Sequence, residues 1–268
     1  METTAAFAAT RQLKRWRELA WPREHGSWSL ALEPLALGLL VAPSTAGTWL
    51  TLGVLAVFFA WRPLKIAVSD AQAERRSAAR RPLAVCAVVA IGSFGVALAL
   101  EGVGWLGWLL PVVAAGVVFL FLDLRGGGRE EIAEVIGAAA FAGVPAAMAA
   151  LAGCGASASL ALALVMACRS VPTVLSVRAY LRAGKTGGRR IAPALLANAL
   201  AVAACAFCVR AGLAPGVALG AVALFTGLAL WLLVWPRPSL RARTLGLVEA
   251  LLGLIFVVAT AFAWRMQG

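Results

Sequence analysis

Nine apolar runs alternate with short polar segments along the chain. They lie at Ser27–Pro43, Gly47–Leu64, Pro82–Leu100, Gly104–Leu122, Ile132–Ala152, Ala156–Val177, Ile191–Arg210, Ala214–Trp235 and Thr244–Ala263. A helix that crosses a bilayer needs about 20 predominantly apolar residues, in a range of roughly 17–25. The runs fit that length, so the pattern predicts an all-α, polytopic membrane protein with about nine transmembrane helices. The first run is the shortest and contains Glu33 and Pro34, and Arg169 interrupts the sixth. Upstream, Leu13, Trp16 and Leu19 or Ala20 recur at helical spacing, with Arg11, Lys14, Arg15 and Arg17 between them. This predicts an interfacial amphipathic helix over Phe7 to Trp21, ended by Pro22. The chain divides accordingly into a surface segment with the PREHG motif, 1–26, and a nine-helix domain, 27–268. No apolar core of a cleavable leader precedes the first run, which is expected to act as the uncleaved insertion signal.

Composition reinforces this class. Of 268 residues, 62% are hydrophobic and only 13% are charged. Soluble domains average about 45–50% apolar and about 25% charged. A single soluble core, disorder and a disulfide scaffold are thereby excluded. The excess of Lys and Arg, 24 against 12 acidic residues, would suggest nucleic acid in a soluble protein. Here 22 of the 24 fall on the side of one set of alternating loops, and only Arg210 and Arg265 fall on the other. That is the positive-inside pattern, which predicts a cytoplasmic N-terminus and an outer C-terminus in a bacterial cytoplasmic (inner) membrane, with no nucleic-acid partner. Dropping one span would destroy the asymmetry.

The five cysteines are expected to be packing residues. Cys205-x-x-Cys208 has a metal-like spacing, but the chain has a single histidine, His25, far from it in sequence. Cys154 is expected at the outer surface. Glycine and alanine crowd the spans, as in GAAAFAGVPAAMAALAG after Ile136, and small residues let helix backbones approach closely in lipid. Gly184-Lys185-Thr186 lacks the upstream glycine and strand of a phosphate loop, and Gly126-Gly127-Gly128 reads as a flexible turn. Arg80-Arg81-Pro82 and Arg189-Arg190-Ile191-Ala192-Pro193 hint at a repeat of two four-helix halves plus a ninth helix.

Candidate chemistry rests on ionisable residues in the spans, which cost about 2.5–3.5 kcal/mol each at a helix centre. Glu24, His25 and Glu33 belong to the first helix, Asp123 ends the fourth, Glu134 opens the fifth, Arg169 and Arg178 lie on the sixth and Glu249 on the ninth. All are expected in the cytoplasmic half, with Arg169 paired to Glu33, Glu134 or Glu249. Glu24, His25, Glu33 and Arg169 are the candidate catalytic residues, and Arg23, Thr173, Arg178, Tyr180 and Glu249 the candidate substrate contacts. Two arginines with hydroxyls suit a phosphate or carboxylate; structural ion pairs between helices are the alternative. Asp70 and Glu74, spaced i,i+4, are expected to share a helix face, where such a pair can bridge Mg²⁺ to a diphosphate or simply pair with Arg75 and Arg76.

PREHG before the first span, the nine spans and the RSxPTxxSxR segment from Arg169 to Arg178 together resemble the YwiC-like family of bacterial integral membrane proteins. The layout also resembles the UbiA-type prenyltransferase superfamily. That resemblance implies a UbiA-like bundle with an inner-side site, where Asp-rich motifs after the second and sixth helices hold an isoprenoid diphosphate through Mg²⁺. Asp70 and Glu74 match the last two acidic positions of the first motif, while Ser69 and Ala73 depart from it. The second motif is absent, since no acidic residue lies between Arg169 and Arg190. The resemblance implies a UbiA-like enzyme or degenerate relative that takes an isoprenoid or other anionic lipid from the membrane. A small-solute transporter or permease and a non-catalytic membrane assembly protein are the alternatives.

Overall fold

A computed structural model describes residues 25–127, 131–186, 190–235, 240 and 242–267, excepting the side chains of 25–27, 185 and 186. The surface helix predicted over 7–21 lies outside the described residues. Nine α-helices occur among the described residues: α1 His25–Val41, α2 Thr45–Ser69, α3 Ala73–Glu101, α4 Leu106–Leu122, α5 Glu131–Leu151, α6 Ala156–Thr186, α7 Ala192–Arg210, α8 Gly216–Val234 and α9 Ala242–Arg265. A short π-helical turn, Asp123–Gly127, continues α4. Each helix covers one predicted apolar run. Eight of them, α2 to α9, are long and apolar enough to cross a membrane, so the chain is a multi-pass membrane protein. The apolar part of α1, Trp28–Val41, is shorter; at 1.5 Å per residue it reaches roughly 21 Å, against about 30 Å of hydrocarbon.

The charged segments are more helical than the apolar pattern predicts. α2 runs on to Ser69, α3 starts at Ala73 and passes through Arg80, Arg81 and Pro82, and α6 continues beyond Val177 to Thr186. Hydropathy marks where the oily part of a helix ends, whereas Ala, Arg and Glu sustain the backbone helix beyond it. The helix breaks only around Asp70, whose carboxylate accepts the Gln72 N–H at 2.9 Å. That local bond competes with the helical pattern and makes a turn. The expectation that Asp70 and Glu74 share one helix face is therefore wrong: Asp70 lies in the break and Glu74 in the first turn of α3.

The described residues form two compact units, Trp49–Leu100, and His25–Thr48 with the described residues after Leu100. This division does not follow the two four-helix halves suggested by the Arg-Arg-Pro repeat. In the first unit, Gly53 on α2 faces the Phe94 ring on α3; a Cβ there would lie 3.2 Å from the ring. Leu50, Val54, Ala90 and Ala97 are buried in this unit.

In the second unit α5 and α6 are the most buried spans. α5 packs against α1, α4 and α6, α6 also against α7 and α8, and α9 against α1. The alanines of α5 permit this crowding: Ala138, Ala142, Ala146, Ala147 and Ala149 are buried. Leu37, Leu162, Met166, Cys205, Val222 and Phe256 join one apolar cluster built from α1 and α5 to α9. Cys168 and Cys208 belong to the same cluster, in keeping with a packing role. Two tight turns connect these helices at the end away from the basic loops. Gly153 (φ 77°) and Gly212 (φ 68°) take the left-handed conformation that ends α5 and α7. Beyond them Cys154 N–H donates to Ala149 O and Leu213 N–H to Cys208 O, each at 2.9 Å, which satisfies the last helical carbonyls.

Candidate charged site between α1, α6 and α9

Arg169 is the hub. Its place follows from the sequence of α6, where it lies eight residues before Val177, the last residue of the predicted apolar run. Glu33 is eight residues into α1 and Glu249 seven into α9. At 1.5 Å per residue these offsets are all roughly 10–12 Å, so three helices bring their charges to one level. Arg169 is only 3% exposed. Such a group needs partners, because an uncompensated buried charge costs several kcal/mol.

It has them on both sides. Arg169 Nη1 donates to Glu249 Oε2 at 3.1 Å, and Nη2 donates to the Glu249 backbone carbonyl at 2.8 Å. Nε faces Glu33 Oε2 at 3.5 Å, an ion pair without hydrogen-bond geometry. Nη1 also donates to Thr173 Oγ1, one helical turn on, and Thr173 in turn donates to the Arg169 carbonyl at 2.8 Å. The Phe225 ring of α8 lies under the guanidinium, 4.8 Å from its centroid, in cation–π contact. Ser29 Oγ, one turn before Glu33, donates to Glu33 Oε1. On the other side of Glu33, α9 presents Gly253, where a Cβ would overlap the carboxylate.

A cavity of about 20 Å³ adjoins this cluster, lined by Arg169, Thr173, Ser176, Asn198, Thr226 and Glu249 among others. That is room for about one water. Asn198 of α7 crosses it, donating to Ser176 Oγ at 2.9 Å and to the Ala194 carbonyl at 2.8 Å.

The other candidate residues separate from this hub. Glu134 does not reach Arg169, contrary to one expected pairing; it binds Arg178 through both carboxylate oxygens. One helical turn further, Arg182 donates to Glu131 at 3.0 Å. The α5–α6 seam thus carries its own two-rung ladder, set by i,i+3 and i,i+4 spacings on the two helices. Tyr180 is buried among Ala179, Ala194, Leu233 and Leu245, and its hydroxyl accepts the Leu240 N–H at 3.0 Å. Arg23, Glu24 and the His25 side chain lie outside the described residues. Asp70 and Glu74 belong to the other unit. One Asp70 oxygen takes the Gln72 N–H and the other pairs with Arg75 at 3.1 Å. No group of three or more metal-ligating side chains forms among the described residues. Asp70 is thus engaged by its own neighbours, and Glu74 lies in the first turn of α3.

Ser29, Phe225 and Gly253 escape a reading based on charge. Ser29 and Gly253 had a signal in their spacing, four residues from Glu33 and Glu249 respectively on the same helices. Phe225 is one aromatic among many in apolar runs and gave none. No curated protein and no solved structure matches the chain. Residues 21–150, the stretch that carries PREHG and Glu33, match the YwiC-like protein family.

Proposed function

We propose that the chain is a permease of the bacterial cytoplasmic (inner) membrane, with its N-terminus inside, and that Glu33, Arg169 and Glu249 form its charge-coupling site. One observation carries this reading: two carboxylates from different helices share a single buried guanidinium inside the membrane-spanning region. Ionisable groups in such places are retained at a cost and typically serve ion or substrate movement. The orientation is supported by the basic residues, which concentrate at the ends where α2, α4, α6 and α8 finish. Reconstitution into proteoliposomes tests the reading. Gradient-driven uptake of at least one solute from a panel of small organic anions, cations and zwitterions is expected, with loss in Arg169→Met. Absence of uptake across the panel from vesicles containing folded protein contradicts it.

The second reading is a UbiA-like enzyme or binder for an isoprenoid diphosphate or other anionic lipid. Thr173 and Arg169 on one face of α6, beside a polar cavity, favour it. Against it, Arg169, Arg178 and Arg182 each already hold a carboxylate of the protein. The cavity is also far smaller than the roughly 300–1,000 Å³ of ordinary ligand pockets. Thermal stabilisation by geranylgeranyl diphosphate, lost in Arg169→Met, supports this second reading over the first.

A further inference from the structure

We infer that Glu33 is a proton-binding site, exchanging its proton while Glu249 stays bound to Arg169; this rests on, and deepens, the permease reading. The cluster holds two carboxylates and one guanidinium, an excess of one negative charge in an apolar surrounding. Among the described residues neither Glu33 nor Glu249 has a second ion-pair partner. The groups facing Glu33 are Ser29 on its own helix, Arg169 from α6 and Glu249 with Gly253 from α9. α5, which also packs on α1, directs its carboxylates Glu131 and Glu134 to Arg182 and Arg178 instead. An excess charge of this kind is neutralised most simply by a proton.

The geometry selects which carboxylate takes it. Glu249 is held at two points, by Nη1 on its side chain and Nη2 on its carbonyl. Glu33 meets Arg169 only at 3.5 Å, and the Nε it faces is buried without a hydrogen-bond acceptor among the described residues. Glu33 is also the more enclosed, its side chain 10% exposed against 21% for Glu249. A protonated Glu33 offers Nε only a neutral carboxyl oxygen, a weaker acceptor than a carboxylate. When Glu33 gives its proton to water, its carboxylate becomes the charged acceptor that Nε lacks, and the carboxylate is drawn toward the guanidinium. A metal cation is a poorer occupant. Na⁺ or a larger ion needs several converging oxygens, as hard cations do, and the guanidinium already fills the space between the carboxylates.

Infrared difference spectroscopy of the full chain in lipid nanodiscs, stepped in pH, tests the assignment. The protein is expected to show the carbonyl-stretch band of a protonated carboxylic acid that disappears as pH rises. Glu33→Gln is expected to lose the band and Glu33→Asp to displace it, whereas Glu249→Asp leaves it in place. A band moved by Glu249→Asp and not by Glu33→Asp overturns the inference, as does no titrating band in folded protein. The permease reading fails separately. Solute uptake with no titrating Glu33 band sinks the proton site and keeps the permease, whereas a titrating Glu33 band without any uptake keeps the site and sinks the permease.

Discussion

Arg169 donates to Glu249 twice, at 3.1 Å to its carboxylate and at 2.8 Å to its backbone carbonyl, and so ties the middle of α6 to the first turns of α9. Glu33 of α1 completes the junction from the opposite side of the guanidinium. Three helices far apart in sequence are joined at one buried side chain. The consequences reach stability as well as function.

Thr173 is the neutral member of the junction. Thr173→Val keeps the shape and removes the hydroxyl that accepts from Arg169 Nη1. Hydrogen bonds to charged groups contribute about 1.5–3 kcal/mol. A loss of that size is expected in the unfolding free energy measured in detergent micelles. An unchanged value would mean that Thr173 Oγ1 is not an acceptor for Arg169.

Gly253 makes room for the Glu33 carboxylate. Gly253→Ala is expected to destabilise by about 1–3 kcal/mol, the usual cost of overpacking. The double variant Glu33→Ala/Gly253→Ala is expected to be more stable than the sum of its single changes, because the clashing carboxylate is gone. Strict additivity would separate the two residues in space.

Much of this architecture was legible in the sequence because bilayer physics writes it there. The nine apolar runs each became a helix, and Arg169 found Glu33 and Glu249 among its three expected partners. Three things were not legible. Hydropathy is blind to a helix once it leaves the oil, so it does not mark the extensions to Ser69 and Thr186 or the start of α3 at Ala73. Helix spacing assumes an unbroken helix, and the Asp70 side chain breaks it by bonding Gln72 N–H, which separated Asp70 from Glu74. Pairing across helices depends on rotation about each helix axis; that decided whether Glu134 met Arg169 or Arg178, and no local pattern reports it.

Asn198 tests the polar lining of the cavity. Asn198→Leu removes the donor to Ser176 Oγ and the Ala194 carbonyl in a fully enclosed place. A loss of about 1–3 kcal/mol is expected in the same micelle unfolding assay. Ser176→Ala is expected to cost less, since Asn198 keeps its bond to Ala194. The reverse order would show that Ser176 and not Asn198 anchors the contact.

The orientation has a native reporter. Cys154 is exposed in the turn between α5 and α6, while Cys168, Cys205 and Cys208 are buried. With the basic helix ends inside, that turn faces outward. A membrane-impermeant maleimide is expected to label intact spheroplasts, with labelling abolished by Cys154→Ser. Labelling only after lysis would invert the topology.

The most direct test of the shared charge is a thermodynamic cycle on its three members. Breaking a buried pair by removing one partner costs about 3–5 kcal/mol, because the other charge is left uncompensated. Arg169→Met alone is expected to lose stability on that scale. The triple variant Glu33→Gln/Arg169→Met/Glu249→Gln, with no charge left to orphan, is expected to regain most of it. A triple variant as unstable as the sum of its single changes would show that these three side chains do not form one site.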